Sequence, residues 1–206
     1  MRELSRLVDL VSFRSLLALA ALRTGRVLTI SELGRDAKLN ATTTARYLSV
    51  LEASFVVTRL NPYFANRASR LIKSPKLYIS DAGLASHLAG IGETHVASDP
   101  MKGALLETYV AQNLAAILES EWPGTRLSYW HVQGRYEVDF VIEKGQDTLA
   151  IEIKAGRRWN DRDLTGLKVF VDKTPNCRLA ILAYGGSETV RLGDRLWAVP
   201  LAPVLS

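Results

Sequence analysis

Residues 136–154 read YEVDFVIEKGQDTLAIEIK, and this stretch decides the fold of the second half of the chain. Two alternating, β-branched runs flank the turn-forming KGQD at 144–147, a pattern that predicts a β-hairpin. Side chains alternate along a strand, so Asp139, Val141 and Glu143 are expected on one face and Val138, Phe140 and Ile142 on the other. In the partner strand Ala150, Glu152 and Lys154 share a face, opposite Leu149, Ile151 and Ile153. A turn of four residues closing on Glu143 and Thr148 sets Asp139 directly opposite Glu152. Two half-buried carboxylates side by side cost of order 1 kcal/mol or more unless compensated. A divalent cation is the usual compensation, because magnesium takes carboxylate oxygens and retains waters. Lys154 lies one pair of residues further along the same face, and a water positioned by a metal or a lysine is a competent nucleophile on a phosphodiester.

Outward from the hairpin, KGALLETYVAQNLAAILESEWPG (102–124) predicts a helix with Leu106, Tyr109, Val110, Leu114, Ile117 and Leu118 as its buried stripe and Pro123-Gly124 as its end. Glu107 stands at the border of that stripe. RLSYWHV (126–132) precedes the hairpin as a strand; LTGLKVFVDKT (164–174) follows it as a helical crossover into LAILAYGG, with shorter strands in ETVRLG and LWAVPL. A helix, a hairpin, a crossover and further strands make an α/β unit with a mixed central sheet.

The front of the chain reads differently. Within VLTISELGRDAKLNATTTARYLSVLEASFVVTRL (27–60), Thr29 or Ser31 can cap a short helix to about Lys38, and Asn40 or Thr42 a second to about Ala53. Preceded by an apolar helical stretch that stops at Gly25 and followed by a β-branched run, they match a winged helix-turn-helix plan. In that plan Thr43, Thr44, Arg46 and Tyr47 lie near the exposed start of the second helix, where small polar residues and an arginine suit phosphate and base-edge contacts. Arg67, Arg70, Lys73 and Lys76 then form a basic connector broken by Pro62 and Pro75. The expected division is a winged helix-turn-helix module with its connector over residues 1–80 and an α/β module over 81–206.

The 206 residues carry 26 basic and 21 acidic side chains, a formal net charge of +5. The excess is local: residues 1–80 hold 13 Lys or Arg against 5 Asp or Glu, a net of +8, whereas residues 101–206 hold 13 of each. A basic field of this kind favours a polyanion such as DNA, and solubility alone also accounts for it. No apolar run reaches the roughly 18 residues of a membrane span, so no membrane association is expected and the cytoplasm is the default compartment. The lone Cys177 allows no internal disulfide and is expected to be inert; His87, His95 and His131 form no zinc pattern.

Asp139 and Glu152-Ile153-Lys154, with Glu107 on the preceding helix, resemble the restriction-endonuclease-like (PD-(D/E)xK) nuclease core. A wider ordered set, residues 61–88, GALLETYVAQNL (103–114), residues 129–156 and LTGLKVF (164–170), is similar to the C-terminal region of a prokaryotic AAA+ ATPase family, a winged helix followed by a DUF4143-type domain. The resemblance implies that Asp139, Glu152 and Glu107 form the acidic set around Mg2+ or Mn2+. It implies that Lys154 orients the attacking water and stabilises the phosphorane. His131 and Gln133 stand near the end of the preceding strand, and Arg157, Arg158 and Arg162 follow the Glu-x-Lys strand where they would meet phosphates.

No G-x-x-x-x-G-K-[ST] occurs, so no ATP site is expected in these residues, and an ATPase domain or subunit would be a separate partner. A nuclease-like core does not by itself establish cleavage. The alternatives are a Mg- or Mn-dependent DNA phosphodiester hydrolase, a non-catalytic DNA-binding or protein-docking module of an ATPase, and an oligomerisation role through Tyr129, Trp159 and Trp197. A homodimer is the expected assembly of a nuclease-like core.

Overall fold

The computed structural model describes residues 10–64, 73–92, 95–132 and 135–206. They fall into two compact units, one of residues 1–59 and 74–108 and one of 60–73 and 109–206. Ala85 and Leu105, beyond residue 80, are buried in the core of the first unit together with Leu77 and Ile79, whereas residues 60–73 group with the second.

In the first unit α1 (Leu10–Ala21) is followed by the short strand β1 (Arg26–Val27), α2 (Ile30–Asp36) and α3 (Ala41–Ala53). Strands β2 (Val57–Leu60) and β3 (Lys76–Ile79) complete a three-stranded sheet of order β1-β3-β2, and α4 (Ala82–Leu88) follows. A four-residue turn separates α2 from α3, with Lys38 in the left-handed region at φ 56°. Asn40 caps α3 by accepting the Thr43 N–H at 2.8 Å, whereas the Thr29 side chain makes no such bond at the start of α2. Gly34 is required where α2 meets α3: a Cβ there would stand 2.5 Å from Thr44 Oγ1. Leu16, Leu33, Leu48, Leu51 and Val57 form the centre of this core.

Helix α5 (Lys102–Glu121) begins in the first unit and ends in the second. Its stripe differs from expectation at Tyr109, which is exposed, while Leu105 and Thr108 are buried. The second unit holds β4 (Arg126–Val132), β5 (Tyr136–Lys144) and β6 (Asp147–Lys154), then a 3-10 turn at Asp161–Leu164 and α6 (Thr165–Lys173). Strands β7 (Cys177–Tyr184), β8 (Val190–Arg191) and β9 (Leu196–Pro200), and the terminal turn α7 (Leu201–Val204), complete it. The six-stranded sheet has the order β4-β5-β6-β7-β9-β8. It is mixed: β6, β7 and β9 run parallel, and the remaining pairs are antiparallel.

Helix α6 makes the crossover from β6 to β7 and buries Leu167 and Phe170 against Val138, Val141, Ala150 and Ala180. Its first turn lies directly on β5, because a Cβ on Gly166 would come within 2.0 Å of the Glu137 carbonyl oxygen. That contact ties the helix to the strand two residues before Asp139.

Candidate metal and phosphate site

The β5–β6 hairpin closes more tightly than the spacing predicts. Lys144 pairs with Asp147 across a two-residue turn, and Gly145 takes the left-handed φ of 62° that such a turn needs. The register nonetheless runs as expected, through Glu143 with Thr148 to Phe140 with Ile151, and the ladder ends there, one residue short of Asp139 and Glu152. Here side chains replace the regular ladder. The Ile153 N–H donates to Asp139 Oδ2 at 2.9 Å, and the Asp139 N–H donates to Glu152 Oε2 at 3.3 Å.

A bulge explains the break. The pairing of β4 with β5 shifts between Ser128 with Val141 and Trp130 with Val138, leaving Asp139 and Phe140 both opposite Tyr129. One extra residue inverts the alternation, which corrects the simple face assignment: Val138 and Val141 belong to the same core although they are three apart. On its other edge Tyr129 is held by the entering chain, donating its N–H to Asn61 O at 3.1 Å and accepting from the Tyr63 N–H. Asp139 is 9% exposed and Glu152 half-buried.

Lys154, two residues beyond Glu152, forms an ion pair with Asp163. Asp163 also accepts the Asn160 N–H at 2.9 Å, and Asn160 Oδ1 accepts the Arg162 N–H at 2.9 Å, a reciprocal cap of the 3-10 turn. Burial pushes the Asp163 carboxyl upward, but the bonds from Lys154 and the Asn160 N–H outweigh it, so its pKa lies below the ordinary value. Nothing in the spacing announced the partnership of Lys154 with Asp163, although the N-D-R-D run at 160–163 carries the signature of the cap.

Glu107 is engaged within the first unit. Its Oε1 accepts from Lys76 Nζ at 2.8 Å and from the Tyr78 hydroxyl at 2.5 Å. Lys76, expected on an exposed connector, is only 2% exposed; β3 carries it into the interior, where its charge requires the carboxylate. Among the described residues no three His, Cys, Asp or Glu side chains gather into a metal-holding group. Asp139 and Glu152 still fit a hard cation. Each carboxylate offers about four lone-pair positions, and magnesium is commonly held by one or two carboxylates together with waters and substrate phosphates.

The expected nucleic-acid contacts divide. Arg46 is exposed on α3 and Thr43 half-buried, but Thr44 and Tyr47 are buried and cannot be presented as predicted. Thr44 Oγ1 donates back to Asn40 O at 2.8 Å, and Tyr47 packs edge-on against Phe13 at 5.2 Å. Together with Leu48 and Leu51 they form an i, i+3, i+4, i+7 stripe, a helical signal that the sequence contains. Lys73, Arg157, Arg158 and Arg162 are exposed. Arg67, Arg70 and Gln133 lie outside the described residues. His131 is half-buried and pairs across the strands with Glu137. A surface cavity of about 410 Å³ beside Arg157 is lined by Tyr184, Gly185, Gly186, Ser187 and Glu188. A cavity of about 670 Å³, lined by Arg126, Glu143 and Thr148, lies at the turn end of the hairpin. It is four residues, about 13 Å, from the carboxylate pair. Among the described residues no helix is long and apolar enough to cross a membrane.

Residues 102–204 match a domain of unknown function, DUF4143, and residues 1–95 match another, DUF8612. An uncharacterized protein of Mycobacterium bovis and one of Mycobacterium tuberculosis are each 33% identical to the chain over 183 residues. The matched stretch covers 88% of this chain and 40% of each relative. With its hairpin, crossover helix and C-terminal strands inside the matched span, the chain belongs to the DUF4143 family.

Proposed function

We propose that the second unit is a Mg- or Mn-dependent DNA phosphodiester hydrolase with a restriction-endonuclease-like core, and that the first is a winged helix-turn-helix module that grips duplex backbone. The observation that supports this reading is the bonding of Asp139 to Glu152 and Ile153 at a bulge, with Lys154 next along the strand. Bulges re-aim side chains and are over-represented next to active sites. A divalent cation at the pair would polarise the phosphoryl oxygen and offset its charge. Asp139 and Glu152 would hold the cation, and the Lys154 ammonium would contribute a second positive group toward the phosphate. Water would add to phosphorus and lose a proton, the bond to the leaving oxygen would break, and that oxygen would take up the proton the water gives up. Arg46 on the first unit, and Lys73, Arg157 and Arg158 on the second, are exposed cations suited to flanking phosphates.

Glu107 drops out of the proposed ligand set, since Lys76 and Tyr78 share its Oε1. The test is cleavage of duplex DNA with manganese, which Asp139→Ala and Glu152→Ala should each abolish while circular dichroism stays unchanged. Cleavage that persists in both variants would remove the site.

A second reading is a non-catalytic DNA-binding or protein-docking module of an AAA+ ATPase. It is favoured by the ion pairs that engage two of the four expected catalytic groups, Glu107 with Lys76 and Lys154 with Asp163. It predicts salt-sensitive duplex binding without any cutting.

A further inference from the structure

Asp163 falls outside every role drawn from the sequence, yet its bonding is specific at both oxygens. Oδ1 receives Lys154 Nζ and Oδ2 receives the Asn160 N–H. The reciprocal cap with Asn160 leaves the carboxylate little freedom to rotate. The turn that carries it is anchored in turn: Leu164, Leu167 and Phe170 are buried, and Gly166 lies against the Glu137 carbonyl of β5. Asp163 is therefore fixed, through α6, to the strand that bears Asp139.

Lys154 needs such an anchor. Its side chain is 40% exposed, and a lysine there has a flexible four-carbon stem. Glu152 stands two positions back on the same strand, so it is the competing carboxylate for that ammonium. A lysine drawn onto Glu152 would offset the negative charge that a cation at the Asp139–Glu152 pair requires. A lysine drawn onto Asp163 keeps its charge at the flank, and its three N–H donors allow it to bind a phosphate oxygen as well as the aspartate.

We infer that Asp163 is the positioning residue of the site: it holds the Lys154 ammonium beside the Asp139–Glu152 pair and prevents it from neutralising that pair. The inference rests on the proposed metal-dependent reading of the same two carboxylates.

The experiment measures Mn2+ affinity by titration calorimetry and Mn2+-dependent duplex cleavage on the full chain, with melting by circular dichroism to confirm folding. Asp163→Asn should weaken Mn2+ binding about tenfold and lower kcat by up to about a hundredfold at little-changed KM, the range for residues that orient a metal site at one remove. Adding Lys154→Met to Asp163→Asn should restore Mn2+ affinity, which a merely structural loss would not do, and Asp163→Glu should recover part of the turnover. Unchanged affinity and turnover in Asp163→Asn, or a loss of affinity that Lys154→Met does not relieve, would overturn the positioning role while leaving the metal site standing. Failure of the wild-type chain to take up Mn2+ at all would instead remove the metal reading, and the inference with it.

Discussion

Asp139 and Glu152 are joined across the hairpin by a bond from the backbone N–H of the first to the carboxylate of the second, at 3.3 Å, at the point where the ladder between β5 and β6 gives out. The Asp139 carboxylate accepts the Ile153 N–H from the opposite strand. Each carboxylate is thus held by a backbone N–H of the opposite strand.

The buried pair of Lys76 and Glu107 gives the sharpest stability prediction. Glu107→Ala leaves a lysine that is 2% exposed without its carboxylate, and removing one partner of a buried pair costs about 3–5 kcal/mol. Urea unfolding should register that loss, and Glu107→Leu combined with Lys76→Met should recover most of it.

Asp163 predicts a pH dependence. Its folded-state pKa lies below the ordinary 3.8, so its contribution is fully present above that value and is lost as the pH falls through the lower, folded-state pKa. Asp163→Asn should cost about 1 kcal/mol near neutrality, given a partner that is 40% exposed. In denaturant melts the difference from wild type should stay level from pH 8 to about 5 and shrink below about 4.

Burial raises the pKa of the Cys177 thiol. The thiolate is the reactive form, so a disulfide reagent at pH 8 should leave the native chain unmodified and label one thiol in denaturant. Rapid native labelling would contradict the buried placement.

The basic residues predict a salt signature. Arg46→Ala together with Lys73→Ala removes two exposed cations. If both meet phosphates, duplex affinity falls and the slope of log affinity against log salt decreases in magnitude by about 2. An unchanged slope, measured by fluorescence anisotropy, would move the interface elsewhere.

How far the fold could be read depended on whether its causes were local. Strand 126–132 matches its expected span residue for residue and the two hairpin strands each run one residue further into the turn, because alternation and a glycine-bearing turn are written in adjacent positions. The register of β5 with β6 up to Phe140 and Ile151 follows from the same arithmetic. The bulge at Asp139-Phe140 has no such signature, since the pattern is of period two on either side and only the pairing with Tyr129 reveals the extra residue. Thr44 and Tyr47 were legible as a buried stripe, but their chemical types suggested contact instead. Lys76 with Glu107 and Lys154 with Asp163 were not legible, because their partners lie 31 and 9 residues away and meet only when the chain is folded.

The most direct measurement is a calorimetric titration of the full chain with Mn2+, in wild type and in the variants Asp139→Asn and Glu152→Gln. The proposed site predicts one Mn2+ per chain in wild type and loss of that binding in both variants, with circular dichroism unchanged. No uptake by wild type, or equal uptake in all three proteins, would contradict it.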